Sequence, residues 1–185
     1  VAETASTFCE TIVLKAALKD AVKEEKIYLL ESSLQGSTAV VVDILSRYIF
    51  ESNVFEAQKG DFLDENRLKD LMISAQKEAY GDGLDPEYLH PYMWLWKPHY
   101  YSGGLSFYNW PYAFGLLFAK GLYGIYQKEG ESFTPKYDEL LKATGKMSVE
   151  DVAKLADIDI TKKDFWTTPL KVIEEDINLF LELTK

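Results

Sequence analysis

Residues able to do chemistry cluster in two short stretches of this chain. One is HYYSGGLSFYNWPY, residues 99–112. It holds His99, one of two histidines in the sequence, a Gly103-Gly104 pair, and Tyr108 and Tyr112. His99 follows a proline and precedes the glycines, which puts it in a loop rather than on an apolar helix face. Gly103 and Gly104, between Ser102 and Ser106, can bend and move, as a segment closing over a ligand must. Tyr108 and Tyr112 are four apart, so on a helix they would share a face. A phenol can donate to a developing oxyanion without adding a charge that must be desolvated. The same residues also fit a plain aromatic cluster around a stacked histidine.

The second stretch is ETASTFCE, residues 3–10. Glu3 and Glu10 are seven apart, two turns along one helix face. They could be an acidic start that complements the helix dipole. They could also be a metal ligand and a carboxylate that steadies another ligand. His90, in YLHPYMW, has no neighbouring Cys or Asp and is read as structural. The chain has no HExxH, GxSxG, Walker A or GxGxxG pattern.

Composition narrows the class. With 185 residues, 47% of them hydrophobic and 27% charged, the chain has globular composition. Its net charge of −10 makes it a poor partner for nucleic acid, which binds through Lys and Arg. No apolar run approaches the ~20 residues of a membrane span. A single cysteine, Cys9, excludes an intrachain disulfide and suits a reducing compartment, so a cytoplasmic location is expected. Cys9 lies in an apolar stretch and is expected to be buried and inert. The chain starts without Met or a basic, apolar leader, in mid-pattern, as if cut from something longer.

The elements that would carry these stretches are helices. Phe8, Ile12, Ala16, Val22, Ile27 and Leu30 recur at helical spacing from Thr4 to about Leu34. Gly36 is expected to interrupt, with Ser37 or Thr38 capping a helix that buries Val41, Ile44, Leu45, Tyr48 and Ile49. Val40-Val41-Val42 would suit a strand, but ten more helix-compatible residues follow. QKGDFL (58–63) is a turn; Asp64 begins a helix over Leu68, Leu71, Met72, Ala75 and Ala79 that Gly81 ends. Glu87 to Trp110 is aperiodic, and so long a loop usually carries function. Helical spacing resumes with Tyr112, Leu116, Ala119, Tyr123 and Tyr126, and Gly130 stops it. Thr134-Pro135 caps a short helix closed by Gly145, and Ser148 to Asp151 resembles a capping box. A final helix from about Thr168 to Leu183 turns Leu170, Ile173, Ile177, Phe180 and Leu181 inward. The whole reads as one all-α unit, residues 1–185, of about seven to nine helices.

Together the two stretches resemble the thimet oligopeptidase and oligoendopeptidase F family. Glu3, Ala5, Ser6 and Glu10 fit its E-x-[AP]-S-x-x-x-E segment. His99, the glycine loop and Tyr108 fit its His, glycine loop and tyrosine landmark. AYGDGLDPEY, the tryptophan run into Pro98-His99, and the tail from TGKMSVEDVAK onward resemble the oligoendopeptidase F branch. The resemblance implies the C-terminal part of a zincin-like catalytic domain, mostly helical, of a zinc peptidase acting on oligopeptides. It implies Glu3 as the third zinc ligand and Glu10 as the carboxylate that orients a ligand histidine. His99 and Tyr108 would contact the substrate carbonyl and steady the oxyanion, with Tyr112 helping, and Gly103 and Gly104 would line the substrate. The HExxH that supplies the remaining ligands and the base would lie upstream, in a missing N-terminal part, and without it the chain is expected to be inactive. Two departures stand out. Thimet-type members carry a further tyrosine in the glycine loop, and their second helix tyrosine comes three residues after the first, not four. The competing reading is a helical module that binds peptide at the aromatic cleft around His99 without catalysis.

Overall fold

The chain is all-α. The computed structural model describes residues 3–60 and 62–185, and among these there is no strand. Eight α-helices follow one another: α1 (Thr4–Asp20), α2 (Lys23–Thr38), α3 (Ile44–Ala57), α4 (Glu65–Tyr80), α5 (Trp110–Glu129), α6 (Thr134–Ala143), α7 (Val149–Lys154) and α8 (Lys163–Thr184). A π-helical turn, Ala39–Asp43, joins α2 to α3. Three short 3₁₀ turns, Pro86–Tyr88, Met93–Trp96 and Pro98–Tyr101, fill the aperiodic region before α5. The residues gather into two compact units: Val1–Ser37 with Phe114–Lys185, and Thr38–Ala113.

The first unit is built on α5. Phe118, Ala119 and Leu122 are fully buried there among Phe8 of α1, Leu140 of α6, Val152 of α7 and Val172 of α8. Two glycines let α8 come close. A Cβ on Gly121 would lie 2.6 Å from the Phe165 ring, and one on Gly124 2.7 Å from the Thr168 methyl. The spacing of three is the same on both helices, so one row of missing side chains on α5 receives one row of side chains on α8. Phe8 stacks on Tyr137, with ring centroids 4.5 Å apart. Lys15 pairs with the buried Asp176, which brings an acidic group into the core with its countercharge.

The second unit packs α3 on α4. Phe50, Met72 and Ala75 form its core, and Tyr100 meets Phe50 edge-on at 5.4 Å. Asp64 caps α4 by accepting from the Arg67 amide at 2.8 Å. Gly81 ends α4 with φ 56°, as the sequence implies. Ser148 likewise caps α7, accepting from the Asp151 amide.

Several expectations fail for identifiable reasons. The helical run from Thr4 breaks at Ala21, which is extended (ψ 145°), and Glu25 accepts from the Val22 amide to open α2. Gly36 does not interrupt: it lies inside α2 facing open space, so no Ser37 or Thr38 cap forms. Within the 58–63 turn, Asp61 lies outside the described residues. Cys9 is exposed, not buried. On α8 the inward face carries Pro169, Val172 and Asp176, while Leu170, Ile177 and Leu181 are exposed. Periodicity could not distinguish these rows, because Asp176 reads as polar until Lys15 neutralises it.

Candidate functional site

The loop residues singled out in the sequence come together in the second unit. His99 sits in the Pro98–Tyr101 turn. Tyr108 precedes α5, and Tyr112 lies in its first turn. The Tyr108 ring stacks over the His99 imidazole, centroids 5.9 Å apart and planes at 18°. Tyr112 meets the same imidazole edge-on at 6.0 Å, and its Oη lies 3.4 Å from His99 Nε2. The two tyrosines therefore converge on one histidine without sharing a helix face, since Tyr108 is not helical.

The imidazole is poised by what it lacks as well as by what it touches. Its Nδ1 is buried and finds no hydrogen-bond partner among the described residues. If Nε2 accepts from Tyr112, the proton sits on Nδ1; in the other tautomer Nε2 donates and the Tyr112 proton is free for another acceptor. Tyr108 is 42% exposed, so its phenol reaches solvent while its ring is held. Gly103 and Gly104 are exposed, with open space where a Cβ would stand, and neither has a left-handed φ. The turn between His99 and Tyr108 closes with the Leu105 amide donating to the Ser102 carbonyl at 2.9 Å.

Glu3 and Glu10 belong to the first unit. Glu3 stands at the N-cap of α1 and Glu10 two turns on, both exposed. The Ser6 hydroxyl donates to the Glu3 carbonyl at 3.0 Å. The Glu3 side chain lies directly over Gly115 of α5, where an added Cβ would be 2.8 Å from the Glu3 Cβ. Burial lowers the pKa of the buried Lys120, against the charge of Asp176 and, least of all, that of Glu10. Among the described residues, no group of three or more His, Cys, Asp and Glu side chains is gathered so as to hold a metal ion. The residues described do not by themselves make a zinc site. His90 is exposed and serves its own turn, its Nδ1 accepting from the Tyr92 amide at 3.1 Å.

Behind the aromatic loop lies a polar cluster that the sequence reading missed. Asp43, Arg47 and Glu51 fall on one face of the π-helical turn and α3, four residues apart. Asp43 pairs with Arg47, and Tyr80 of α4 donates to Asp43 at 3.4 Å. Burial pushes the Tyr80 phenol up to about 12, with the Asp43 charge adding to the effect. Lys97 is buried beside this cluster, its ammonium 3.5 Å from the centroid of the Trp96 ring. Desolvation, then Arg47, lowers its pKa. The available sequence signal was three charged residues at a spacing of four, on one helix face.

The raised Tyr80 pKa sets a stability window. The neutral phenol is favoured in the fold, so this contribution is fully present below pH ~10, the unfolded value. It is lost as pH rises through about 12. Alkaline titration of tyrosinate absorbance is expected to show a late-ionising group of phenols, which also includes Tyr100, Tyr123 and Tyr137, and Tyr80→Phe should take one phenol out of that late phase. A variant whose lost absorbance comes from the phase near pH ~10, with the late phase intact, would contradict the buried placement.

No protein-family profile matches the chain. It is 29% identical over 185 residues to oligopeptidase PepF of Bacillus subtilis (strain 168), an alignment covering 99% of this chain and 27% of that protein. Its fold matches that of oligoendopeptidase-F from Enterococcus faecium with a TM-score of 0.87 and 23% identity, over 98% of this chain and 34% of the other. The chain thus spans about a quarter of the curated relative's length. It is homologous to an oligopeptidase along its whole extent and folds as the corresponding part of oligoendopeptidase F does. No helix among the described residues is long and apolar enough to cross a membrane.

Proposed function

We propose that this chain is the C-terminal part of the catalytic domain of an oligoendopeptidase F-like zinc peptidase, its two units being portions of that one domain. One observation carries the reading. In a chain homologous end to end with an oligopeptidase, two tyrosines converge on His99 beside an open Gly103-Gly104 loop.

In this reading the substrates are oligopeptides, and Gly103 and Gly104 let the peptide backbone approach the loop. Tyr108 donates its O–H to the oxygen of the scissile carbonyl as negative charge gathers there, in a site where a neutral donor adds no charge of its own. In the tautomer in which His99 Nε2 donates to Tyr112, the Tyr112 O–H is left free to give the same oxygen a second hydrogen bond. Zinc, where bound, supplies a Lewis acid and a water of lowered pKa. Among the described residues Glu3 is the candidate ligand, and Glu10 would orient a ligand histidine. The other ligands and the general base belong to an N-terminal part of the same protein, which makes that part an obligatory partner. Alone, the chain is inactive, and the one cysteine of this chain suits a reducing compartment such as the cytoplasm.

The test is the complete gene product. It is expected to cleave a quenched fluorescent oligopeptide, to lose that activity to a chelator, and to regain it with zinc. A complete gene without HExxH, or a protein with no chelator-sensitive peptidase activity, would end this reading.

A further inference from the structure

The loop that carries Tyr108 is gripped from one side by a row of α3 side chains. Asp43, Arg47, Glu51 and Phe55 recur every four residues. Glu51 is 7% exposed, and its Oε1 accepts from the Phe107 amide at 2.7 Å. Arg47 Nη1 donates to Asn109 Oδ1 at 3.1 Å, while Asp43 fixes the other side of the guanidinium. Asn109 is buried, and its amide nitrogen has no partner among the described residues. An arginine can only donate, so the carboxamide oxygen must face it. Phe55 stacks on the Phe107 ring at 5.4 Å, and Tyr48 packs on the same ring at 5.6 Å.

Phe107 has φ 58°. A bulky residue in the left-handed region is strained and persists only where its surroundings over-determine it. Here those surroundings are the Glu51 carboxylate on its amide and two aromatic rings on its side chain. The residues on either side of Tyr108 are thus each held by a charged group of α3, the buried Glu51 and the half-buried Arg47. Tyr108 itself makes no such contact and takes its direction from the backbone between them.

We infer that Glu51, with the Asp43–Arg47 pair behind Asn109, positions Tyr108 over His99. These are positioning residues that act through the backbone of 107–109. The inference rests on the proposed role of Tyr108, and it adds that this role depends on a carboxylate one helix away.

The experiment compares Glu51→Ala, Glu51→Gln and Tyr108→Phe in the complete gene product. Glu51→Ala is expected to lower kcat on the order of 10- to 100-fold, as misplacement of a reacting group does, with KM little changed. Glu51→Gln keeps an oxygen that can accept from Phe107 and should retain most of kcat. Combining Glu51→Ala with Tyr108→Phe should be no slower than Tyr108→Phe alone. Hydrogen exchange at the Phe107 amide should rise at least roughly 10-fold in Glu51→Ala and stay slow in Glu51→Gln. If Ala prevents folding, Glu51→Asp keeps the charge but shortens the reach, and carries the same expectations as Ala. Equal kcat for Glu51→Ala and wild type, where Tyr108→Phe is slowed, overturns the inference. So does unchanged exchange at Phe107. If Tyr108→Phe leaves kcat intact, it is the catalytic reading that fails, and the exchange experiment alone decides whether Glu51 holds the loop.

Discussion

Replacing Tyr108 with Phe should lower kcat of the complete gene product by 10²- to 10³-fold, a loss of about 2.7–4 kcal/mol of transition-state stabilisation. The substitution removes one oxygen and little else. The ring stacked on His99 is kept, and so is the strained backbone at Phe107 that aims it. Tyr108 is 42% exposed, and no hydrogen bond of its hydroxyl is lost, so the fold should be unaffected. An interaction made only with the developing oxyanion appears in kcat, and KM should move little. The competing reading, a peptide-binding module, predicts the reverse pattern. There the hydroxyl contacts ground-state peptide, and its removal weakens binding with any turnover intact. Steady-state kinetics at saturating and sub-saturating peptide separate the two.

Replacing Phe118 with Ala should destabilise the protein by about 3–5 kcal/mol. Phe118 has no exposed surface, and it lies at the centre of the first unit's core. Phe114 stacks on it at 5.3 Å and Phe165 meets it at 5.8 Å. Phe165 is itself fixed against Gly121, so it cannot slide far to fill the space. The cavity therefore persists, and both the lost transfer free energy and the lost contacts count. Phe118→Leu, which leaves a smaller void, should cost clearly less. Denaturant unfolding measures both, and equal midpoints for Phe118→Ala and wild type would show that this core does not exist as described.

The sequence determined the helical class, most helix ends and the cast of the candidate site. Local chemistry decides these things. Asp64 and Ser148 offer side-chain oxygens to free amides, Gly81 adopts a φ that other residues avoid, and apolar spacing near 3.6 shows as a stripe. His99, Tyr108 and Tyr112 were legible as types at a spacing, and so was the pair Glu3 and Glu10.

Where the spacing misled, a distant residue had changed the value of a local one. Gly36 looked like a stop because isolated glycine favours one, yet a helix running on through residues 37–43 carries it. On α8, the apolar row of Leu170, Ile177 and Leu181 lost the inward position to a row containing Asp176. Lys15, 161 residues away, pairs with it there, and the charge of the buried Lys120 also faces it. The same holds for the site. That the two tyrosines meet one imidazole, from outside a shared helix face, follows from the turn at Phe107. That turn exists because Glu51 and Arg47, 56 and 62 residues earlier, meet an amide and a carboxamide there. Sequence order carries no sign of such pairings, since each exists only where folding brings a donor and a buried acceptor together in a low-dielectric place.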